Sequence, residues 1–451
     1  MIDLLILGGG PAGYVAAERA GHNGLSVTLF EKKALGGVCL NEGCIPTKTM
    51  LYSAKTYENA LHGDKYGITS EQVRFDYPKI VARKNKVVRK LVAGVRNKMT
   101  SNNVSVIEGE AVIVGKDDEG IVVRCNGIDY KGKNLLICTG SEASVPPIPG
   151  LKEAADIVVT NREILEMKEP PQSLVIIGGG VIGMEFASFF NSLGSKVTII
   201  EMLPEILGGL DLEVSAMLRE IYEKKGITIH LNAKVTKIEG HSVTFEKDGN
   251  EMSIDGDKIL LSVGRRPVTQ GFGLENLNIE MNRGGIKTDE KMRTNVPNVF
   301  AAGDVTGFSL LAHTASREGE VVVNNLLGKD DRMSYDGIPG VVYTNPEVAG
   351  VGETEESAKA KGMDYKVAKL PMTFSGRFVA ENEGANGLCK VIVNSENQVI
   401  GVHLLGNPSS EIIYGACIAI EQKLTLETMS KIVFPHPTVS EILKETIFEM
   451  L

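Results

Sequence analysis

Leu4-Leu5-Ile6-Leu7-Gly8-Gly9-Gly10-Pro11-Ala12-Gly13 and Leu174-Val175-Ile176-Ile177-Gly178-Gly179-Gly180-Val181-Ile182-Gly183 are two copies of one pattern, set 170 residues apart. The repetition continues past the glycines: Val27-Thr28-Leu29-Phe30-Glu31 returns as Val197-Thr198-Ile199-Ile200-Glu201 at the same offset. A lone G-x-G-x-x-G is weak evidence, because short glycine patterns recur by chance. Here each copy follows an apolar strand, precedes a helix-compatible stretch, and leads to a second strand ending in Glu 23 residues after the first glycine. That spacing predicts two βαβ units, each able to hold a dinucleotide. Gly8 and Gly178 allow a tight turn, Gly10 and Gly180 let backbone approach a pyrophosphate, and Gly13 and Gly183 let helix pack on strand. The helix N-terminus offers N–H groups and partial positive charge to the phosphates. Glu31 and Glu201 can each accept from a ribose diol. A 2′-phosphate would be repelled by Glu201, and Met202-Leu203-Pro204-Glu205 contains no Arg or Lys to offset that, so the second site is expected to prefer NAD over NADP.

Eight residues beyond Glu31 comes Cys39, and five further on Cys44, within Gly36-Gly37-Val38-Cys39-Leu40-Asn41-Glu42-Gly43-Cys44-Ile45-Pro46-Thr47-Lys48. On a regular helix such positions project about 140° apart, whereas a disulfide needs its Cα atoms within about 7 Å. A bridge here therefore requires a distorted backbone, to which Gly43 and Pro46 are suited. So small a loop gains only about 2 kcal/mol from chain entropy, which makes a reactive role more natural than a structural one. Two buried thiols are the alternative. Cys125, Cys138, Cys389 and Cys417 stand singly in apolar contexts and are expected in the core.

A length of 451 residues suits about three domains. With a net charge of -9 and no block of Lys or Arg forming an electrostatic footprint, neither nucleic acid nor an anionic membrane is expected as a partner. No apolar run reaches the roughly eighteen residues that span a bilayer, and Met1-Ile2-Asp3 leads straight into a strand, so a cytoplasmic protein is expected. Six cysteines are too few for a secreted disulfide framework, and no metal site is expected. Proline-rich seams at Val145-Pro146-Pro147-Ile148-Pro149-Gly150, Glu169-Pro170-Pro171 and Arg265-Arg266-Pro267 divide the chain. The expected fold is α/β: two Rossmann-like dinucleotide-binding domains, residues 1–144 with 269–337 and residues 145–268, followed by an α+β domain over 338–451. In the last, Cys389–Val393 and Gln398–Val402 read as strands joined by a turn at Ser395-Glu396-Asn397, followed by two helix-like stretches. Asp304 closes a strand at Asn298–Asp304, placed either for a cofactor hydroxyl or as a helix cap.

Together the cysteine stretch, the two fingerprints, Asn298–Asp304, Leu311-Ala312-His313-Thr314-Ala315 and His436-Pro437-Thr438-Val439-Ser440-Glu441 resemble the flavin-dependent disulfide oxidoreductase family, in its dihydrolipoamide dehydrogenase branch. The resemblance covers nearly the whole chain, in family order. It implies FAD at the first site, held by Gly8, Gly10, Gly13, Glu31, Thr139, Gly140, Ser141, Asp304 and Ala312. NAD would lie at the second, on Gly178, Gly180, Gly183, Glu201 and Gly264. It implies a redox-active Cys39–Cys44 disulfide, with Cys39 facing the substrate and Cys44 the flavin, and Lys48 paired with Glu185. His436 would be the base, supplied from the partner subunit of a homodimer and oriented by Glu441. The implied reaction oxidises protein-bound dihydrolipoyl groups and reduces NAD, the arm being carried by a 2-oxo acid or acetoin dehydrogenase complex or by glycine cleavage. A glutathione-reductase-like, NAD(P)H-dependent disulfide reductase is the alternative, against which Glu201 speaks. His313 is read as a packing or hydrogen-bonding residue. Thr438-Val439-Ser440-Glu441 is also a capping box, a role compatible with the first. Glu42, where the family commonly has an apolar residue, places a negative charge between the thiols that would oppose thiolate formation. Phe434 and Pro435 also depart from the common pattern, and the chain stops ten residues after Glu441.

Overall fold

A computed structural model describes residues 1–451. Numbered in chain order, the elements that position the site begin with β1 (Ile2–Leu7), α1 (Pro11–His22), β2 (Val27–Glu31), α2 (Gly37–Glu42), α3 (Cys44–Leu61), α4 (Tyr77–Ser101), β3 (Ser105–Glu108), β4 (Ala111–Asp117), β5 (Gly120–Cys125) and β6 (Ile128–Ile137). The second repeat supplies β7 (Ser173–Ile177), α5 (Val181–Ser192), β8 (Lys196–Ile200), α6 (Leu212–Lys224), β9 (Thr228–His230) and β10 (Lys258–Leu261). Then come β11 (Val299–Ala301), α7 (Ala312–Leu326), β12 (Gly340–Val342), β13 (Val348–Gly352), β14 (Tyr365–Pro371), β15 (Leu388–Asn394), β16 (Val399–Leu405), α8 (Ser409–Glu421), α9 (Leu426–Ser430) and α10 (Glu441–Phe448).

Contacts divide the chain into two compact units. The first comprises residues 1–49, 79–144 and 264–334, the second residues 50–78, 145–263 and 335–451. Residues 50–78, 264–268 and 335–337 thus lie in other units than the sequence seams alone suggest. No helix is long and apolar enough to cross a membrane.

In the first unit a sheet runs β3-β2-β1-β6-β5-β4, with β11 also on β6. Strands β3, β2, β1, β6 and β11 are parallel, and β4 and β5 add an antiparallel extension. Leu4, Leu5 and Ile6 are fully buried in succession, as expected of a parallel strand covered on both faces. The core below it gathers Leu5, Ile113, Val123, Leu135, Ile137 and Ala301.

The second unit repeats the plan with β9-β8-β7-β10 and the short strand Val158–Val159, all parallel. The duplication survives in the register: Leu4 pairs with Val27 and Leu174 with Val197, the same offset on both strands. A three-stranded antiparallel sheet over Ala233–Glu239, Ser242–Lys247 and Asn250–Asp255 joins it. Residues 335–451 add an antiparallel sheet ordered β12-β13-β16-β15-β14, with a core of Val391, Val393, Leu404, Ala416 and Ile442. The turn at 395–397 forms as expected, with Asn397 at φ 57°. Three helices come after it rather than two, because the short α9 precedes α10. Cys125, Cys138 and Cys389 are buried, but Cys417 on α8 is only half-buried and packs at the edge of the core.

Candidate functional site

The helix that would carry both cysteines breaks between them. α2 ends at Glu42, Gly43 takes a non-helical conformation (φ -146°, ψ -105°), and α3 starts anew at Cys44. This is the distortion the five-residue spacing requires. Both cysteines are thiols, joined by a hydrogen bond between their side chains. That bond pushes the Cys39 pKa up, burial and the Cys44 charge add to it, and Lys48, one turn along α3, acts in the opposite sense. Glu42 sits close to Lys33, with Nζ–Oε1 3.8 Å, so the negative charge between the thiols has a cation beside it.

Two loops hold this pair against the first glycine turn. Gly36 donates its N–H to the Gly9 carbonyl at 2.8 Å, and a Cβ on Gly37 would fall 2.7 Å from the Gly10 Cα. Gly37, at φ 57°, is the residue whose missing Cβ permits that approach. Tyr14, on α1, consequently lies beside the dithiol: burial raises its phenol pKa, and the Cys39 and Cys44 charges contribute.

The turn itself fits a pyrophosphate. Gly10 and Gly180, the N-caps of α1 and α5, make no side-chain capping bond. A Cβ on Gly10 would meet only the Gly37 Cα, at 3.9 Å, and one on Gly180 nothing within 4 Å. No side chain thus stands over either turn, and the first-turn N–H groups of each helix are the donor set an anionic diphosphate needs. Glu31 is fixed by accepting from Gly9 N–H (2.8 Å) and Lys33 N–H (2.7 Å), and Glu201 in the same way from Gly179 (2.6 Å) and Leu203 (2.7 Å). Each carboxylate is held at its strand end, its two oxygens oriented by backbone. Met202 and Leu203, exposed beyond Glu201, supply no cation for a 2′-phosphate.

Also in the first unit, Thr139 donates to the Val268 carbonyl at 2.7 Å, while Gly140 takes φ 74° and its carbonyl accepts from Val268 N–H. The Ser141 hydroxyl donates to Asp304 and accepts from Arg265 Nε at 2.8 Å. Asp304 therefore faces a side-chain network rather than capping a helix; burial raises its pKa, with Ser141 and Arg265 opposing. Ala312 opens α7, whose N-cap Leu311 makes no side-chain bond. His313 is the second residue of that helix. Gly264 lies just before the strand Arg265–Pro267 at φ 110°, its carbonyl accepting from Ser144 N–H.

Within the second unit, Glu185 on α5 is buried, and its Oε1 accepts from Tyr343 N–H at 3.1 Å. His436 is exposed, with Nδ1 against the Glu441 carboxylate at 3.0 and 3.2 Å. Glu441 also accepts from Thr438 N–H at 2.9 Å. Backbone and His436 together hold its pKa below the usual glutamate range. The other half of the expected capping box does not form: the Thr438 hydroxyl donates to the Pro435 carbonyl, and α10 starts at Glu441 without a side-chain cap.

A family model described as pyridine nucleotide-disulphide oxidoreductase matches residues 2–319, and its dimerisation domain matches residues 338–447. The chain belongs to the pyridine nucleotide-disulphide oxidoreductase family. It is 41% identical to the dihydrolipoyl dehydrogenase of Bacillus subtilis over 98% of this chain and 95% of that one. With the enzyme of the same name from Geobacillus stearothermophilus it shares 39% identity at the same coverage. Among solved structures, it superimposes on LpdA from Mycobacterium tuberculosis with a TM-score of 0.91, 24% identity and full coverage of both chains, a likeness of fold. The HOCl-induced flavoprotein disulfide reductase RclA from Escherichia coli matches at 0.86 with 30% identity, covering 99% of each chain. The chain carries the family's dimerisation domain, which supports a homodimer.

Sequence reading passed over Tyr14, Lys33, Arg265 and Glu318. Glu318 is fully buried on α7 and accepts from Gly303 N–H at 2.6 Å, and its charge adds to burial in raising the Cys138 pKa. Tyr14 had a weak signal, standing one turn after Gly10 on the pyrophosphate-facing helix. The others are joined to the site only by folding.

Proposed function

We propose that the protein is a dihydrolipoamide dehydrogenase: it oxidises dihydrolipoyl groups carried on a partner protein and reduces NAD+ to NADH. The observation that carries this reading is the Cys39–Cys44 pair, set across the Gly43 break with Lys48 one turn on, against an uncapped dinucleotide turn. When bound, FAD on the first unit would supply the two-electron acceptor, and NAD on residues 145–263 of the second the final hydride acceptor. Gly8, Gly10, Gly13, Glu31, Thr139, Gly140, Ser141, Asp304 and Ala312 would hold the flavin nucleotide. Gly178, Gly180, Gly183 and Glu201 would hold NAD.

His436 Nε2, the ring nitrogen turned away from Glu441, takes a proton from one dihydrolipoyl thiol. The thiolate attacks Cys39 Sγ of the disulfide, forming a mixed disulfide while Cys44 leaves as a thiolate. The second dihydrolipoyl thiol then displaces Cys39 and closes the lipoyl ring, its proton ending on Cys39. The protein is left with two electrons, a Cys39 thiol and a Cys44 thiolate, and a proton on His436. Per turnover one NADH forms and one proton is released. Lys48 lowers the cost of the thiolate, and Glu441 that of the imidazolium. Residues 338–451 form the dimerisation domain, through which each subunit's His436 serves the dithiol of its partner. Location in the cytoplasm and service to a lipoyl-carrying multienzyme complex belong to the same proposal.

The test is steady-state NADH formation from dihydrolipoamide and NAD+ by the FAD-loaded protein. Turnover is expected in the wild type and lost in Cys44→Ser, and NAD+ is expected to be preferred over NADP+ by more than about tenfold, as the Glu201 carboxylate dictates. Rapid reduction of glutathione disulfide by NADPH, with no turnover of dihydrolipoamide, would select the glutathione-reductase-like alternative instead.

A further inference from the structure

α4 is the most lopsided element of the chain. It carries Lys79, Arg83, Lys84, Lys86, Arg89, Lys90, Arg96 and Lys98 and no acidic residue, a basic block that the sequence reading passed over in a protein of net charge -9. No local reason accounts for this: Lys86 and Lys90, one turn apart on the same face, repel rather than support the helix. Near its C-terminal end the cations are neutralised within the first unit, Arg96 by Glu108 and Lys98 by Glu18. The middle is different. Lys86, Arg89 and Lys90 are exposed, and with Lys79 and Arg83 they form one stripe, in which Lys79, Arg83, Lys86 and Lys90 stand four, three and four residues apart and Arg89 adjoins Lys90, spanning about 16 Å of helix.

The place of the stripe is set by a single bond. Arg83 Nη1 donates to the Thr49 carbonyl at 2.8 Å, which ties α4 to α3 five residues beyond Cys44. The positive face therefore begins at the helix that carries Cys44. A free dithiol of small size has no use for a platform this long. A dithiol borne on a folded carrier must bring that carrier to the surface at every turnover, and a chain of net charge -9 would repel an acidic one. A local stripe of opposite sign reverses the repulsion, raises the encounter rate and orients the arrival. Nucleic acid suits it less, because beyond the reach of this one stripe a chain of net charge -9 repels a duplex that carries a charge about every 1.7 Å.

We propose that Lys86, Arg89 and Lys90, continuing Arg83 and Lys79, form the docking surface for the protein that carries the dihydrolipoyl group, through an acidic face around its lipoyl-lysine. This surface presupposes the dihydrolipoamide dehydrogenase activity proposed for the chain. The test compares two substrates, free dihydrolipoamide and a dihydrolipoylated carrier domain of net negative charge, with the FAD-loaded full chain. In K86E/R89E/K90E, kcat/KM for the carrier domain is expected to fall at least about tenfold at low ionic strength, while that for free dihydrolipoamide stays within about twofold. K86Q/R89Q/K90Q should fall in between. Turnover of the carrier by the unmodified protein should weaken with added salt, and in the charge-reversed variant it should not. Equal losses on both substrates, an unchanged rate on the carrier, or wild-type turnover of the carrier indifferent to salt would overturn the docking surface. Retention of the unmodified protein on duplex DNA, lost in the charge-reversed variant, would reassign the stripe and overturn it too. No turnover of free dihydrolipoamide by the unmodified protein would instead remove the functional reading, and the docking surface with it.

Discussion

Glu441 does two things with one carboxylate, and the geometry explains why neither excludes the other. Its oxygens accept from Thr438 N–H and from His436 Nδ1, so the backbone fixes the acid and the acid fixes the ring. Removing the base should be costly: His436→Ala is expected to lower kcat for dihydrolipoamide about 10²- to 10⁴-fold with flavin content unchanged, measured by steady-state kinetics and flavin absorbance. Glu441→Gln keeps the bond to Thr438 but loses the charge, so a smaller loss of about tenfold is expected, with the imidazolium less favoured. The pH dependence has a definite sign. Because the Glu441 pKa lies below the ordinary glutamate range, its hold on His436 is complete above that range and is lost only as pH falls through the lowered value. Acid-side losses of activity between about pH 5 and 7 should therefore track groups other than Glu441. At this scale the sequence was informative wherever chemistry clusters along the chain: Cys39, Cys44, Lys48, His436 and Glu441 all lie in short motifs. Tyr14, Arg265 and Lys33 escaped because each meets its partner through folding and none stands in a motif of its own.

Helices and strands show where local pattern suffices. The glycine turns of β1–α1 and β7–α5 form as their spacing dictates, and Gly183 shows how tightly: a Cβ there would lie 2.1 Å from the Gly178 carbonyl oxygen. Gly183→Ala must push α5 off its strand and is expected to raise the KM for NAD+ more than about tenfold while leaving FAD bound, which kinetics and absorbance together would check. The end of α7 offers a pH test. Arg317 grips Asp331 with two bonds, 2.8 and 2.6 Å, and holds its carboxyl down to about 2. The unfolded chain would titrate near about 3.9, so this pair stabilises fully above about pH 4 and ceases to do so as pH falls through about 2. Asp331→Asn should cost about 1 kcal/mol at neutral pH, given partial solvent exposure, with a deficit in the thermal midpoint that shrinks between about pH 4 and 2. The capping box marks where pattern alone misled. Thr438 and Glu441 have the right spacing, yet the Pro435 carbonyl captures the threonine hydroxyl, and only half the motif closes.

Across the second unit, one buried ion pair joins parts of the chain far apart in sequence. Lys390 on β15 and Asp211, the N-cap of α6, are both fully buried, with two Nζ–O distances of 2.8 Å, and Glu355 accepts from the same ammonium at 2.7 Å. Asp211 also caps α6 through Val214 N–H at 3.2 Å. Lys390→Met would strand a buried carboxylate and is expected to destabilise this unit by about 3–5 kcal/mol, read as a lower denaturation midpoint. Adding Asp211→Leu to Lys390→Met should recover most of that loss, less about 1 kcal/mol for the missing cap. If the double variant is no more stable than the single, the cost lies in packing and not in the uncompensated charge.

What the amino-acid sequence determined by itself is periodic and local: two glycine turns at a fixed offset, strand and helix periods, a pair of cysteines that a regular helix could not bring together, and an acid five residues after a histidine. These are legible because backbone dihedrals and nearest-neighbour spacing encode them. Tertiary structure alone decided that Gly37 presses on Gly10 and so brings the dithiol to the cofactor turn, and that Lys390 in an apolar strand finds Asp211. It also decided that a basic helix starts beside the redox-active one. Each of these joins segments whose separation in the chain carries no signal of their meeting, since burial and charge pairing are settled only when the units close.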